Sequence, residues 1–222
     1  MTTPPVEHHE ANRKFYDRIS DAYDLLADSN EKAARQAGVK ALEVKPGESI
    51  LELGFGTGNE VIDLAELVGP TGRVAGIDIS TGMLKVALKK LAEKKLAATI
   101  DLKVSDARTL PFGAAEFDAV YTSFTLELFP ADDIPRVLAE VLRVLRPGGR
   151  LSVVSMAQVK EGDRASALEK MYIWMHRHFP HLVDCRPIDP ASVVKAAGFS
   201  IVSTTDLQIW TMPVAVVVGK KN

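Results

Sequence analysis

The chain has 222 residues, of which 46% are hydrophobic and 25% charged, with a formal net charge of −2 at pH 7. This length and apolar fraction predict one α/β domain with its own core. The balanced charge offers no basic surface to a phosphate backbone, so we do not expect nucleic acid as a partner. The single cysteine, Cys185, excludes an internal disulfide. The N-terminus lacks the apolar segment of a secretory signal and no apolar run could span a bilayer, so we expect a soluble cytoplasmic protein.

Residues 9–26 carry apolar and aromatic side chains at helical spacing, which predicts one or two short helices. Their aromatic stripe either packs the helices down or closes over a ligand, and both interpretations are open. A further amphipathic helix is predicted over 30–42. The turn Val44-Lys45-Pro46-Gly47 ends it and leads into the first strand.

The stretch 49–59 combines a short apolar run with three glycines at alternate positions, Gly54, Gly56 and Gly58. It predicts a buried strand, a tight turn and a helix over 59–68. Glycine permits a positive φ and lets a ligand lie directly against the backbone. The helix then points its free N–H groups at the loop, so an anionic or strongly polar ligand is indicated.

The glycine spacing differs from the dinucleotide pattern G-x-G-x-x-G, because Asn59 occupies the place of the third glycine. The run Glu52-x-Gly54-x-Gly56-x-Gly58 instead resembles the first motif of the Rossmann-like S-adenosylmethionine-dependent methyltransferases. This resemblance implies S-adenosyl-L-methionine as the cofactor and these four residues as contacts to it. The alternative is an ordinary strand-to-helix connection.

A second apolar strand ends at Asp78, 24 positions after Gly54 (78 − 54). A strand-end acid at about this spacing reaches the ribose of a nucleotide on the first turn, and a carboxylate can accept from both hydroxyls. The alternative is a role for Asp78 in capping the next helix, for which Ser80 or Thr81 is better suited. The resemblance implies that Ile79 packs on the adenine and that Met83 lies beside it.

The next helix is predicted over 81–96, with Leu84, Leu88 and Leu91 facing inward and a lysine-rich face in solvent. The third strand, 100–104, is followed by Asp106 and Ala107. The resemblance implies that this acid accepts a hydrogen bond from the adenine amino group and that the Ala107 N–H reaches a ring nitrogen.

The passage from Leu110 to Tyr121 resembles the L-P-F and F-D-x-V motifs of the family and introduces strand four. At its carboxyl end, where open parallel sheets bind ligands, Thr122 or Ser123 is predicted to contact the methionine part of the cofactor. Three side chains are predicted to face the substrate: Phe124, Glu127 and Phe129. The alternative is a loop that merely packs.

An amphipathic helix over 132–145 and the turn Arg146-Pro147-Gly148-Gly149 introduce strand five and match the last family motif. With five motifs in order between residues 50 and 155, the chain is identified as a member of the family. The resemblance implies a doubly wound α/β fold with a seven-stranded, mostly parallel sheet and one antiparallel strand. The single domain is predicted to contain an N-terminal helical cap (1–44), a cofactor-binding core (45–155), a substrate-side insertion (156–190) and a closing helix and strand pair (191–222).

The insertion predicts a helix with Tyr172, Trp174 and His176 on or beside one face. His176 is a candidate general base, and ordinary packing is the alternative. A metal site is least favoured, since His176 and His178 point to different helix faces and His181 lies past a proline, so we predict no metal. The closing elements are a helix over 190–197 and strands near 199–207 and 213–219.

The segment from Tyr16 to Asp24 resembles the cofactor-covering cap of quinone-type methyltransferases, which implies cofactor contacts for Tyr16 and Tyr23. The implied function is methyl transfer to a small aromatic or lipophilic acceptor, with His176, Tyr23 and Glu127 as candidate catalytic residues. Transient membrane contact would suit such an acceptor. An amine or phospholipid headgroup as acceptor, and a catalytically silent cofactor-binding protein, are the alternatives. Compared with the ubiquinone and menaquinone group, residues 25–28 and 154–156 depart from the usual signatures.

Overall fold

The computed structural model of the protein describes residues 10, 13, 14, 16, 17, 20, 23–158, 186–209 and 212–222. Its seven strands form one sheet in the order β3-β2-β1-β4-β5-β7-β6. The strands are β1 (Ser49–Leu53), β2 (Arg73–Asp78), β3 (Thr99–Val104), β4 (Phe117–Ser123), β5 (Leu145–Met156), β6 (Ser200–Ile209) and β7 (Met212–Lys220). Strand β7 runs antiparallel to both of its neighbours, and the other pairs are parallel. The predicted fold class is confirmed.

Five α-helices are described: α1 (Tyr23–Ala41), α2 (Asn59–Val68), α3 (Thr81–Ala92), α4 (Ile134–Val144) and α5 (Pro190–Ala196). A 3-10 turn, Leu126–Leu128, follows β4. Apolar side chains on one face of the sheet pack with α4 and α5, and those on the other face pack with α1, α2 and α3. Both faces are therefore covered, as buried parallel strands require.

The sheet reverses its order at β1, because the chain first adds β2 and β3 on one side and then β4 on the other. Leu53, at the end of β1, lies in register with Ile77 of β2 and with Thr122 of β4. A crevice opens at such a switch point, beyond the carboxyl ends of the strands. The loops that follow β1, β2 and β4 consequently meet at one edge of the sheet.

Two helix predictions need correction. Helix α1 runs without interruption from Tyr23 to Ala41, whereas the sequence pattern separated a segment ending near 26 from a helix over 30–42. Helix α3 ends at Ala92, and its buried residues are Met83 and Ala87, while Leu88 is 52% exposed. Leu84 and Leu91 pack against the core as predicted, but Leu88 does not, because the helix places Ala87 against the glycine-rich loop, where only a small side chain fits.

The described part of the chain contains no helix that is long and apolar enough to cross a membrane.

Candidate active site

A cleft lies at the carboxyl edge of the sheet, where the loops after β1, β2, β3 and β4 converge. The empty space between its walls, with the open solvent at its mouth included, is about 790 Å³. Its walls are formed by Tyr16, Gly54, Gly56, Ile77, Asp78, Ile79, Met83, Ser105, Ala107, Ser123, Phe124, Thr125, Leu128, Phe129 and Pro130. Eight of the predicted cofactor contacts meet here: Tyr16, Gly54, Gly56, Asp78, Ile79, Met83, Ala107 and Ser123. Phe124 and Phe129, predicted to face the substrate, also line the cleft.

The glycine-rich loop turns tightly between β1 and α2. The Gly54 N–H donates to the Ile77 carbonyl at 2.8 Å, and the Gly58 N–H donates to the Phe55 carbonyl at 2.8 Å. All three glycines have positive φ, at 71°, 50° and 81°. A Cβ on Gly54 would lie 2.2 Å from Thr125 Oγ1, whereas a Cβ on Gly56 would meet nothing within 4 Å. The loop thus packs tightly at Gly54 and presents open backbone at Gly56, where a ligand can approach.

Asp78 joins this loop to the start of α3. Its Oδ2 accepts from the Gly56 N–H at 2.9 Å, and its Oδ1 accepts from the Ser80 N–H at 2.9 Å. The helix cap is Ser80, whose Oγ accepts from the Met83 N–H at 3.0 Å. Burial raises the pKa of Asp78 to about 6, although the two backbone hydrogen bonds favour the charged form. Each carboxylate oxygen keeps acceptor capacity, so Asp78 can also bind a hydroxyl in the cleft.

The opposite wall follows β4. The Phe124 N–H donates to the Val154 carbonyl at 2.8 Å, and Phe124 itself has a φ of 48°. A positive φ at a bulky residue is a strained conformation that the surrounding contacts must hold. Thr125 Oγ1 donates to the Ser123 carbonyl at 2.8 Å and touches the Gly54 backbone. The aromatic wall and the glycine-rich loop are therefore built against each other.

Thr122 and Asp106 lie beside the cleft without lining it. The Thr122 hydroxyl donates to the Leu53 carbonyl at 3.1 Å and the residue is buried, so it ties β4 to β1. The Asp106 carboxylate accepts from Arg108 Nη2 at 2.7 Å and from Arg108 Nε at 3.0 Å. Arg108 Nη1 also donates to Asp133 Oδ2 at 2.9 Å. Next to Asp106, Ser105 and Ala107 form the cleft wall on that side.

Glu52 is 1% exposed and does not line the cleft. Its side chain lies in the layer between the sheet and helices α1 and α2, where burial and the nearby Glu60 raise its pKa well above the usual range. Arg35 is the counterion there, donating from Nε to Glu60 Oε1 at 2.7 Å and from Nη1 to Glu31 Oε2 at 2.9 Å. The Glu52 Oε2 atom has no hydrogen-bond partner in the described part of the chain. This buried ion pair was missed, because Arg35 and Glu60 lie 25 positions apart with no local pattern linking them.

Glu127 is also 1% exposed and lies behind the cleft wall, not on it. Its Oε1 accepts from the Met156 N–H at 3.0 Å, and burial raises its pKa to about 7. The side chains of Tyr23 and His176 lie outside the described residues, as do Tyr172, Trp174, His178 and His181. Their predicted roles stay predictions.

The lysine-rich face of α3 is not entirely in solvent. Lys90 Nζ donates to Thr57 Oγ1 at 3.0 Å and to Asn59 Oδ1 at 2.8 Å, which ties α3 to the glycine-rich loop and to the start of α2. The predicted solvated face is wrong at this position. Thr57, Asn59 and Lys90 were missed as supports of the loop, and their sequence signal is that Thr57 lies inside the motif and Asn59 directly follows it.

The cleft residues fit an adenosyl cofactor. Asp78 offers an acceptor to a ribose, the open backbone at Gly56 accommodates a polar group, and Ile79, Met83 and Ala107 supply apolar walls suited to a flat base. The Ser123–Thr125 wall closes the other side. The arrangement can hold such a cofactor beside an aromatic-walled space for a second molecule.

A family model described as a methyltransferase domain matches residues 50–149. The demethylmenaquinone methyltransferase of Lactobacillus johnsonii is 37% identical over 148 residues, which are 65% of this chain and 60% of that protein. The enzyme of the same name from Halalkalibacterium halodurans is 32% identical over 77% of this chain and 66% of that protein. The 2-phytyl-1,4-naphtoquinone methyltransferase of Synechococcus elongatus is 35% identical over 66% of this chain and 64% of that protein. The matched part of the chain thus spans between 60% and 66% of these relatives' lengths.

Solved structures share the fold at low sequence identity. The 1,6-didemethyltoxoflavin-N1-methyltransferase of Burkholderia thailandensis, with S-adenosylhomocysteine bound, superposes with a TM-score of 0.76 at 19% identity, covering 100% of this chain and 92% of that one. The cyclase SpnF superposes with a TM-score of 0.74 at 19% identity, covering 95% of this chain and 94% of that one.

Proposed function

The chain belongs to the Rossmann-like S-adenosylmethionine-dependent methyltransferases, and from this premise we propose that it methylates a small aromatic or lipophilic acceptor of the quinol or phenol kind. The single observation that carries the proposal is the two-sided cleft. One side offers the glycine-rich loop and Asp78, and the other offers Phe124, Leu128 and Phe129. A flat acceptor packs well against such aromatic and apolar side chains.

S-adenosylmethionine supplies a methyl group on a positively charged sulfur, which makes the methyl group a good target for displacement. The chain's part is placement and exclusion of water. Asp78 would hold the ribose hydroxyls, and Ile79, Met83 and Ala107 would hold the base. Phe124 and Phe129 would wall off the space for the acceptor. Methyl transfer of this kind depends more on alignment than on proton removal, so His176, Tyr23 and Glu127 are proposed only as accessory groups.

The named relatives support the quinone-like choice, since two act, by their names, on demethylmenaquinone and one on 2-phytyl-1,4-naphtoquinone. Of the two departures from the usual signatures, the one at 154–156 adjoins the cleft wall, because the Val154 carbonyl accepts from the Phe124 N–H at 2.8 Å, and we propose that it bears on the choice of acceptor. We propose that residues 156–190 contribute the acceptor-specific wall.

The proposal is tested by incubating the protein with methyl-labelled S-adenosylmethionine and a panel of acceptors. The panel contains a short-chain prenylated naphthoquinol kept reduced, a catechol, and phosphoethanolamine. We expect a singly methylated naphthoquinol or catechol by mass spectrometry. Asp78→Ala should lose most of this product, and Lys85→Ala, an exposed lysine on α3, should retain it.

Methylation of phosphoethanolamine alone would contradict the proposed acceptor. Binding of S-adenosylhomocysteine without methylation of any acceptor would favour a catalytically silent cofactor-binding protein. Cytoplasmic location and the exclusion of nucleic acid stay predictions.

A further inference from the structure

Asp17 binds the start of α3 through one carboxylate oxygen. Its Oδ1 accepts from Ser80 Oγ at 2.6 Å, from the Gly82 N–H at 2.9 Å and from Thr81 Oγ1 at 3.4 Å. These donors are the cap and the first residues of the helix. Although burial acts in the opposite direction, the hydrogen bonds from Ser80 and Gly82 lower the pKa of Asp17, so the group is charged at neutral pH.

Gly82 shows that the backbone around Asp17 approaches α3 closely. A Cβ on Gly82 would lie 3.1 Å from both Asp17 Cα and the Asp17 carbonyl oxygen, and 2.8 Å from Ser20 Oγ. Glycine within a helix costs about 1 kcal/mol relative to alanine, so its presence here needs a reason. The close approach is such a reason. Ser20 completes the contact by donating to the Asp17 carbonyl at 3.2 Å.

The bonds of Asp17 continue into the cofactor cleft. Ser80 donates its hydroxyl to Asp17 and its N–H to Asp78, and Asp78 also holds Gly56. Next to Asp17 in the chain, Tyr16 forms part of the cleft wall. One serine therefore links the residue beside Tyr16 to the acid that is proposed to bind the ribose.

We propose that Asp17 is a positioning residue, which fixes Tyr16 against the cofactor by binding the first residues of α3. This inference rests on the cofactor assignment and goes beyond it, because the family match begins at residue 50. It predicts that losing the Asp17 contacts weakens cofactor binding through Tyr16, without changing the fold of the sheet.

The test is a double-mutant cycle on S-adenosylhomocysteine affinity, measured by titration calorimetry with the full chain. Asp17→Ala and Tyr16→Ala should each weaken binding about tenfold. The double variant should bind no more weakly than the single variant with the lower affinity. Asp17→Asn keeps an acceptor oxygen and should recover part of the affinity. The control is Glu10→Ala, since Glu10 is exposed and pairs with Lys14, so the Kd of this variant should stay within twofold of wild type.

Equal affinities of Asp17→Ala and wild type would overturn the inference, and so would additive losses in the double variant. If Asp17→Ala fails to fold, Asp17→Asn and Tyr16→Ala decide the coupling in its place. At saturating cofactor, kcat of Asp17→Asn should match wild type while its KM for the cofactor rises, and a fall in kcat alone counts against positioning. Absence of S-adenosylhomocysteine binding in the wild type would refute the cofactor assignment instead, which separates the two failures.

Discussion

Gly54 carries both a conformational and a steric demand. Its φ is 71°, and an added Cβ would lie 2.2 Å from Thr125 Oγ1, which is itself held by the Ser123 carbonyl. Gly148 has a similar φ of 75°, but its nearest neighbour would be Lys220 Cε at 3.9 Å. A comparison of alanine variants at the two positions therefore separates backbone strain from crowding.

We expect Gly148→Ala to lower the free energy of unfolding by roughly 1–2 kcal/mol through backbone strain alone. Gly54→Ala should lose about 1–3 kcal/mol more, because Thr125 has to shift, and should also weaken cofactor binding. Urea unfolding of both variants measures the difference. Equal losses would show that Thr125 moves freely and that the wall and the loop are not packed as a unit.

Asp78 is expected to make cofactor binding depend on pH. Its pKa is raised to about 6 by burial, and Asp17, which also contacts Ser80, adds to the rise. Above this pH the ionised carboxylate can accept from two hydroxyls, and below it the protonated group loses acceptor capacity. The affinity for S-adenosylhomocysteine should therefore fall as the pH drops from 7.5 to 5, by at most about tenfold per unit below the pKa.

The check is calorimetry across this range with wild type and Asp78→Asn. The variant should bind more weakly at pH 7.5 and show a flatter profile. An equally steep profile in Asp78→Asn would assign the pH dependence to another group. The sequence alone left open whether Asp78 binds the ribose or caps α3, because an acid at a strand end is suited to either role. The hydrogen bond from Met83 to Ser80 assigns the cap to Ser80.

Helix α3 shows where an element can and cannot be predicted. Its existence, its start at Thr81 and the inward position of Leu84 and Leu91 follow from the serine cap and the apolar spacing, but the exposure of Leu88 does not. Leucine spacing favoured burial of Leu88, which is 52% exposed, whereas Ala87 is buried. The deciding contact is between Ala87 and Gly58, where an added Cβ would lie 2.9 Å from Ala87 Cβ. Such a contact between distant positions has no signature in local periodicity.

The burial of Ala87 and the exposure of Leu88 predict different outcomes for substitutions at these two neighbouring positions. Ala87→Leu should destabilise the protein by roughly 1–3 kcal/mol, because the larger side chain pushes α3 off the glycine-rich loop. Leu88→Ala, on the exposed face, should change stability by less than about 0.5 kcal/mol. Thermal unfolding with and without S-adenosylhomocysteine measures both effects. If Leu88→Ala were the more destabilising change, Leu88 would face inward, as the leucine pattern favoured.

For the whole molecule, the seven-stranded, mostly parallel sheet was predicted from the motif resemblance and not from hydropathy, since apolar runs alone do not say which strands are neighbours. The resemblance did not predict that several carboxyl groups are buried in the core. Glu52, Glu60 and Glu127 are all buried, and burial raises the pKa of each. Glu52 carries the family motif, yet it faces Arg35 and Glu60 behind the sheet. Motif identity predicted its position in the strand, and strand alternation decided its direction.

These groups should make the protein less stable as the pH rises. A carboxyl group with a raised pKa holds a proton in the native state that the unfolded chain releases. Its contribution to stability is therefore fully present below the pKa of the group in the unfolded chain, and it is lost as the pH rises through the pKa of the group in the native state. For Glu127 the window runs from 4.5 to about 7. At about 1.4 kcal/mol per pKa unit, the loss for this group alone reaches at most roughly 3 kcal/mol.

Glu127→Gln should remove that loss, because the amide stays neutral and its oxygen can still accept from the Met156 N–H, the contact that the carboxyl makes at 3.0 Å. In urea unfolding the variant should match wild type near pH 5 and exceed it by up to about 3 kcal/mol at pH 8. Glu66→Gln, an exposed change on α2, should follow the wild-type profile throughout. Identical profiles for Glu127→Gln and wild type would show that Glu127 does not bind the proton.

The same variant tests catalysis. If Glu127 were an essential acid or base, its loss would lower turnover roughly 10²–10⁴-fold, whereas the loss of a buried structural carboxyl would leave turnover near wild type.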